Sequence, residues 1–208
     1  MSIAATAIIY PNVTLGANVT IEDFCIIGCP PTSGAARPTV IGSNSHIRSN
    51  TVIYSGNTIG TNFQTGNKAN IRENNIIGNN VSIGTLSVLE YATCIGDNVR
   101  IHSQAFIPEY SIIENNCWIG PNVVLTNSKY PCTHDSKAKL KGPTLRTGAI
   151  IGANVTILPG VVIAEKTLIG AGSVVVSNTK KASLYIGNPA KFVKYLTEIE
   201  EYNENTTL

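Results

Sequence analysis

The chain has 208 residues, a net charge of +2 and no run of basic residues, which argues against nucleic acid as its main partner. Only 6% of residues are aromatic while glycines number 18, a composition suited to one domain with a narrow core of Ile and Val. Residues 1–20 lack the charged start and long apolar run of a signal peptide, and no stretch is apolar for long enough to cross a membrane. The five cysteines (Cys25, Cys29, Cys94, Cys117, Cys132) form no C-x-x-C pair, so free thiols in a cytoplasmic, reducing compartment are expected.

Aliphatic residues recur every six positions from the start: Ile9, Leu15, Ile21 and Ile27. Residues 28–40, with Pro30, Pro31, Ser33, Gly34 and Pro38, break the count and read as a loop, because proline cannot donate to a sheet ladder. Arg37 within it reads as a solvated surface residue or a phosphate contact. From Ile41 the period runs through fifteen stations to Leu125, and only Thr65 is not aliphatic. Two residues before most stations stands a small or β-branched residue, as at Ser45, Ala69, Val81, Thr93, Ala105 and Cys117. Strand side chains alternate faces, so each hexad is a short strand with one small and one large residue pointing inward, followed by a turn. A hexapeptide period marks a parallel β-helix. Three hexads close a triangular coil of eighteen residues, and coils stack at about 4.8 Å. Residues eighteen apart therefore share a corner, which puts Arg72 one coil below Glu90 as a salt-bridged rung. Thr65 and the inward Asn57 and Asn75 are local departures; the two asparagines are expected to satisfy each other across coils.

After Leu125, residues 126–144 form a second, longer excursion. Regularity resumes at Leu145, Ile151, Ile157, Ile163, Ile169 and Val175. Phe192, Leu196 and Ile199 then lie at helical spacing and predict a helix from about Pro189 to Tyr202, followed by a polar tail. The expected organisation is one solenoid domain over 1–188, with a C-terminal helix and tail over 189–208.

The segments Gly148 to Val161, Ile169 to Val175 and Ile186 to Lys191 resemble the left-handed β-helix acyltransferases of the hexapeptide-repeat family. The resemblance implies an all-β, left-handed parallel β-helix; the hand comes from the resemblance alone, since the general crossover rule favours the opposite one. It further implies acyl transfer from coenzyme A, most simply acetyl-CoA, lying in a groove between subunits of a homotrimer. Gly148, Ala153 and Ala171 would let the carrier's arm approach the backbone, and Lys180, Lys181 and Lys191 would meet its phosphates. Thr126-Asn127 followed by Tyr130-Pro131 resembles the loop of the branch that acylates nucleotide-linked amino sugars. That similarity makes Asn127, Tyr130 and His134 candidate contacts for such an acceptor. The stretch Ile47 to Tyr54 resembles the segment that carries the catalytic histidine of lipid A-type acyltransferases. Tyr54 occupies that position here, which disfavours a fatty-acyl carrier-protein reaction.

Acyl transfer needs a nucleophile freed of its proton, help for the oxyanion, and positioning. His102 follows station Ile101 at a corner, and its imidazole is a candidate base near pH 7; an exposed corner histidine is the competing reading. Ser103 and Gln104 beside it are candidate contacts for the acceptor. Glu114 interrupts a stack of glycines (Gly42, Gly60, Gly78, Gly96), and its expected tasks are to orient His102, bind an amine or solvate the turn. His46, His102 and His134 are spread over separate coils and a loop, so no metal is expected. The favoured function is N-acetylation of a nucleotide-activated amino sugar. Transfer to a hydroxyl acceptor, and a non-catalytic binding solenoid, are the alternatives.

Overall fold

The computed structural model describes residues 1–32 and 34–203. The chain winds as a parallel β-solenoid whose three faces are sheets of eleven, nine and eight strands, here called the first, second and third faces. Strands are mostly two residues long and pair with the strand eighteen positions on: Ser82 with Arg100, Asn70 with Val88, Ile76 with Cys94. The two excursions widen the offset, Ile26 pairing with Val52 and Trp118 with Ile150. Both leave from the corner between the second and third faces, and both are shorter than expected. Gly28 and Cys29 extend the strand Ile26–Cys29, Thr39 and Val40 belong to Thr39–Ile41, and Thr144 opens the strand Thr144–Leu145. The strap between Leu125 and Thr144 contains a 3-10 turn, Ser136–Lys139.

Every station from Ile41 to Leu125 is buried, and so are the smaller residues two positions earlier. Phe63 explains the departure at Thr65. It fills the position where a small residue normally stands and is fully buried, and the station two residues on is reduced to threonine. Volume is conserved within the rung, which keeps the core close-packed. The turns between Ile41 and Ile119 have one recipe: the third residue after the station is left-handed, as at Asn44, Asn62, Asn80, Asn98 and Asn116. Asparagine tolerates that region better than other non-glycine residues. On the corner between the third and first faces these side chains form a ladder, Asn62 to Asn80 at 2.8 Å, Asn80 to Asn98 at 2.9 Å and Asn98 to Asn116 at 3.1 Å. Gln104 (φ 61°) occupies the same turn position at another corner.

The inward asparagines satisfy backbone rather than each other's side chains. Asn57 Oδ1 accepts from the Asn75 amide (3.0 Å), and Asn75 Oδ1 accepts from the amide and hydroxyl of Thr93 (2.7 and 2.8 Å). Asn75 Nδ2 donates to the Arg72 carbonyl (2.8 Å). Replacing Asn75 by leucine orphans these fully buried groups, and urea unfolding should show a loss of about 1–3 kcal/mol.

The expected short C-terminal helix is present as Glu200–Asn203, but it does not extend back to Pro189. Ala190–Tyr195 is instead a strand that pairs antiparallel with Ser183–Gly187. The last coil otherwise leaves a row of unpaired backbone groups, and this hairpin covers it. Phe192 packs edge-on against Tyr185 and Tyr195 instead of lining a helix. The expected tail beyond the helix, residues 204–208, and Ser33 lie outside the described residues.

Candidate functional site

Viewed along the axis, the residue after each station of the first face makes a column up one corner: Glu22, Arg48, Gly66, Gly84, His102, Gly120, Gly152 and Gly170. The glycines are there for space. A Cβ on Gly84 would lie 2.3 Å from the Ser103 amide nitrogen, and one on Gly152 would lie 2.6 Å from that of Ala171. His102 stands in this column with its backbone held at both ends: its amide donates to the Ile119 carbonyl (2.8 Å) and its carbonyl accepts from the Ser87 hydroxyl (2.9 Å).

The imidazole is half-buried. It lies against the Trp118 ring at 4.6 Å between centroids, and the Arg100 Nε–H donates to its Nε2 at 3.1 Å. That assignment places the ring proton on Nδ1. Desolvation and the adjacent Arg100 both hold the imidazole below its ordinary 6.5, so it is neutral at pH 7. Beside it opens a shallow cavity of about 200 Å³, lined among others by Arg48, Gln64, Thr85, Arg100 and Ser103. No carboxylate lines it.

Glu114 stands at a different corner, between the third and first faces, and does not orient His102. Its carboxylate takes Arg146 Nη1 at 2.5 Å and the Thr147 amide at 2.9 Å. Arg146 occupies the next coil in the same column, which accounts for a charge where glycines otherwise stack. Burial pushes the Glu114 carboxyl up, and the bonds to Arg146 and Thr147 outweigh it, leaving it below its ordinary 4.5. The side chain is 30% exposed and Arg146 47%, so the pair contributes less than about 1 kcal/mol. A lowered carboxyl stabilises the fold above the unfolded-state value and loses that contribution as pH falls through the folded one. Glu114→Gln should therefore flatten the acid limb of stability below about pH 4.5 while barely moving the melting midpoint at pH 7, as a pH series of thermal melts would show.

The expected coenzyme contacts divide between two edges. Ala153 and Ala171 continue the first corner above His102, and Lys191 follows them there, because it pairs with Ile186 over Gly170. Gly148 belongs to the Glu114 corner: its amide donates to Asn115 and a Cβ would face Lys166. Lys180 and Lys181 sit at the far end of the terminal hairpin, with Lys180 Nζ 5.3 Å from the Phe192 ring centre. Asn127 roots the long strap by donating to Glu109 Oε2 (2.9 Å), while Tyr130 and His134 are exposed on it. The Tyr130 ring lies 5.5 Å from Lys129 Nζ and lines a small strap pocket of about 170 Å³. Within one protomer these three residues lie on a different corner from His102.

Two features were not read from the sequence. Arg100 and Trp118 contact His102, and Arg48 lines the same cavity further down the column; a step of eighteen from residue 100 to 118, and the column through 48, 66, 84 and 102, carry that signal. A larger cleft, about 610 Å³, lies between the two loop roots and includes Arg37, Arg72, Glu73, Glu90, Tyr91 and Glu109. The expected Arg72–Glu90 rung exists at 3.8 Å, but Arg72 pairs more closely with the buried neighbour Glu73 at 3.0 Å. Desolvation raises Glu90 above its ordinary value, with Glu109 and Glu73 adding to the rise and Arg72 opposing it. In this cleft Arg72 is shared between Glu73 and Glu90. His46 is engaged with Glu22 at 2.8 Å. Among the described residues no three His, Cys, Asp or Glu side chains converge as a metal set, and no helix is long and apolar enough to cross a membrane.

The arrangement matches known proteins first at the level of fold. LpxA from Acinetobacter baumannii superposes with a TM-score of 0.66 over 99% of this chain and 78% of its own, at 20% identity. Among curated sequences, a candidate acetyltransferase of Schizosaccharomyces pombe is 38% identical over 88 residues, covering 39% of this chain and 42% of that protein. Gamma carbonic anhydrase 2 of Arabidopsis thaliana is 37% identical over 84 residues, covering 39% of this chain and 27% of its own length. The chain thus spans less than half the length of these curated relatives. No family model matches it.

Proposed function

We propose that the protein is an acyl-coenzyme A-dependent acyltransferase that uses the first corner as its active site, acting on the amine of a nucleotide-linked amino sugar. The observation that carries this reading is His102: one neutral imidazole in a column of glycines, beside an open cavity, with polar neighbours and a smooth backbone edge above it. Residues present fit the carrier. The edge runs Gly120-Pro121, Gly152-Ala153 and Gly170-Ala171, with no long side chain at these positions, and Lys191 stands at its upper end. An extended thioester arm can lie against such an edge and bond to its backbone; the carrier, when bound, supplies an activated acyl carbonyl.

The chain's own groups do the rest. The His102 imidazole, neutral at pH 7, removes the proton from the attacking nitrogen and returns it to the departing sulfur. Ser103 and Gln104, exposed at the same turn, orient the acceptor. A carbonic anhydrase reading finds no support in the histidines, since His46 is hydrogen-bonded to Glu22 and His134 lies on the strap. A homotrimer belongs to the same proposal. Exposed Ile76 and Ile112 on the third face and Phe106 and Val124 on the second give apolar flanks suited to closed cyclic packing. Light scattering should return three times the protomer mass. A thiol-release assay with acetyl-CoA across paired amine and hydroxyl acceptors tests the activity. Release with amino sugars and not with their N-acetyl forms is the expected result, and release with hydroxyl acceptors alone would replace amine by hydroxyl transfer.

A further inference from the structure

Above Arg48 the corner column drops to glycine for two coils, Gly66 and Gly84, before His102. Three inter-strand steps separate the two side-chain-bearing positions, about 14 Å at the usual strand spacing. This gap is the cavity of about 200 Å³ described above. Its sheet side carries Gln64, Ser82 and Arg100, and its other side carries Thr85 and Ser103. The composition is one-sided in charge: two guanidiniums, four hydroxyls, an amide and the His102 imidazole, with no carboxylate.

Neither arginine is neutralised by an ion pair among the described residues. Glu22, one coil below Arg48, is turned to His46 (2.8 Å) and the Ser49 amide (2.9 Å). Arg100 uses its Nε–H on an uncharged imidazole, which accepts the hydrogen bond without neutralising the cation. Guanidinium is the side chain best matched to bidentate phosphate recognition.

We propose that Arg48 and Arg100 hold the diphosphate of the acyl acceptor in this gap, with the acceptor's nucleophile directed up to His102. The inference rests on the acyltransferase reading for the acceptor's role, but the binding it asserts needs no acyl donor. It also gives Arg100 a second task. An anion that captures the guanidinium releases His102 Nε2, whose lone pair then becomes available to the nucleophile's proton. Arg100 is the charged group beside the imidazole, Arg48 faces it across the cavity, and Trp118 covers the ring's other side.

Diphosphate chemistry could also come from coenzyme A, and titration calorimetry separates the sources. Inorganic pyrophosphate, UDP, coenzyme A and pantetheine are titrated into the wild-type protein, Arg48→Gln and Arg100→Gln; both arginines are exposed, so both variants should fold. The expected result is binding of pyrophosphate and UDP by the wild type, each weakened at least tenfold by either substitution, with coenzyme A unaffected in Arg48→Gln. In parallel, the NMR titration of His102 should move to higher pH when UDP binds. Unchanged UDP affinity in both variants would overturn the proposal. Loss confined to coenzyme A would overturn it too, assigning the arginines to the carrier and leaving the acyltransferase reading intact.

Discussion

Replacing His102 by asparagine should lower kcat by about 10²–10⁴-fold, the usual worth of a positioned general base, with little change in the KM for acetyl-CoA. Asparagine keeps the polarity of the corner and removes the basic lone pair, along with the ring contact to Trp118. The side chain is outside the packed core, and its backbone bonds to Ile119 and Ser87 do not depend on the imidazole. Melting curves of variant and wild type should therefore coincide. The pH profile carries the sign: because desolvation and Arg100 hold the imidazole below 6.5, the enzyme's limb of kcat/KM, with the acceptor amine's own titration divided out, should be flat above that pH and decline only below it. Arg100→Gln removes one of the two lowering influences, so its profile should break at higher pH. A His102→Asn enzyme with full turnover would show that positioning alone performs the transfer and would remove His102 from the reaction.

Phe63→Ala should be the most destabilising single truncation in the first half of the solenoid, at about 3–5 kcal/mol. Phe63 is fully buried and heads the largest such side chains. The station two residues on is only threonine, and the Thr65 hydroxyl is committed to the Arg48 amide (2.9 Å) and the Thr51 hydroxyl (3.2 Å). No aliphatic station stands ready to fill the space. Collapse of this rung also loosens the floor beneath Gln64 and Arg48, so the variant should lose UDP affinity along with stability. Urea unfolding measures the first and calorimetry the second. A loss below about 1 kcal/mol would mean that neighbouring coils close the void, and that Phe63 and Thr65 are not a compensating pair.

Most of the architecture was readable because a solenoid is locally periodic: each rung contacts the rung before and after it, so sequence separation and spatial separation stay proportional. The stations, the inward small residues and the two excursions could be named from spacing alone. The same rule, used with steps of eighteen, gives every vertical neighbour, including Arg146 above Glu114, once the loop insertion is subtracted. What misled was evenness. Glu114 and His102 are twelve residues apart, which in an eighteen-residue coil means different corners, and no side chain there spans a face of the prism. Gly148 was separated from Ala153 and Ala171 in the same way. At the C-terminus, the spacing of Phe192, Leu196 and Ile199 matched a helix, but an unpaired sheet edge needs covering, and the chain from Ala190 to Tyr195 turns back as a strand to cover it.

The sequence by itself determined which residues face the core, which share a column and where the chain leaves the solenoid, because each follows from a period that short strands and left-handed turns impose. Only the tertiary structure decided which atoms meet around a corner. That Arg100 donates to His102, that Trp118 lies against the same ring and that Glu114 is taken by Arg146 and Thr147 depend on side-chain direction and on competition among charged partners, and neither is encoded in spacing.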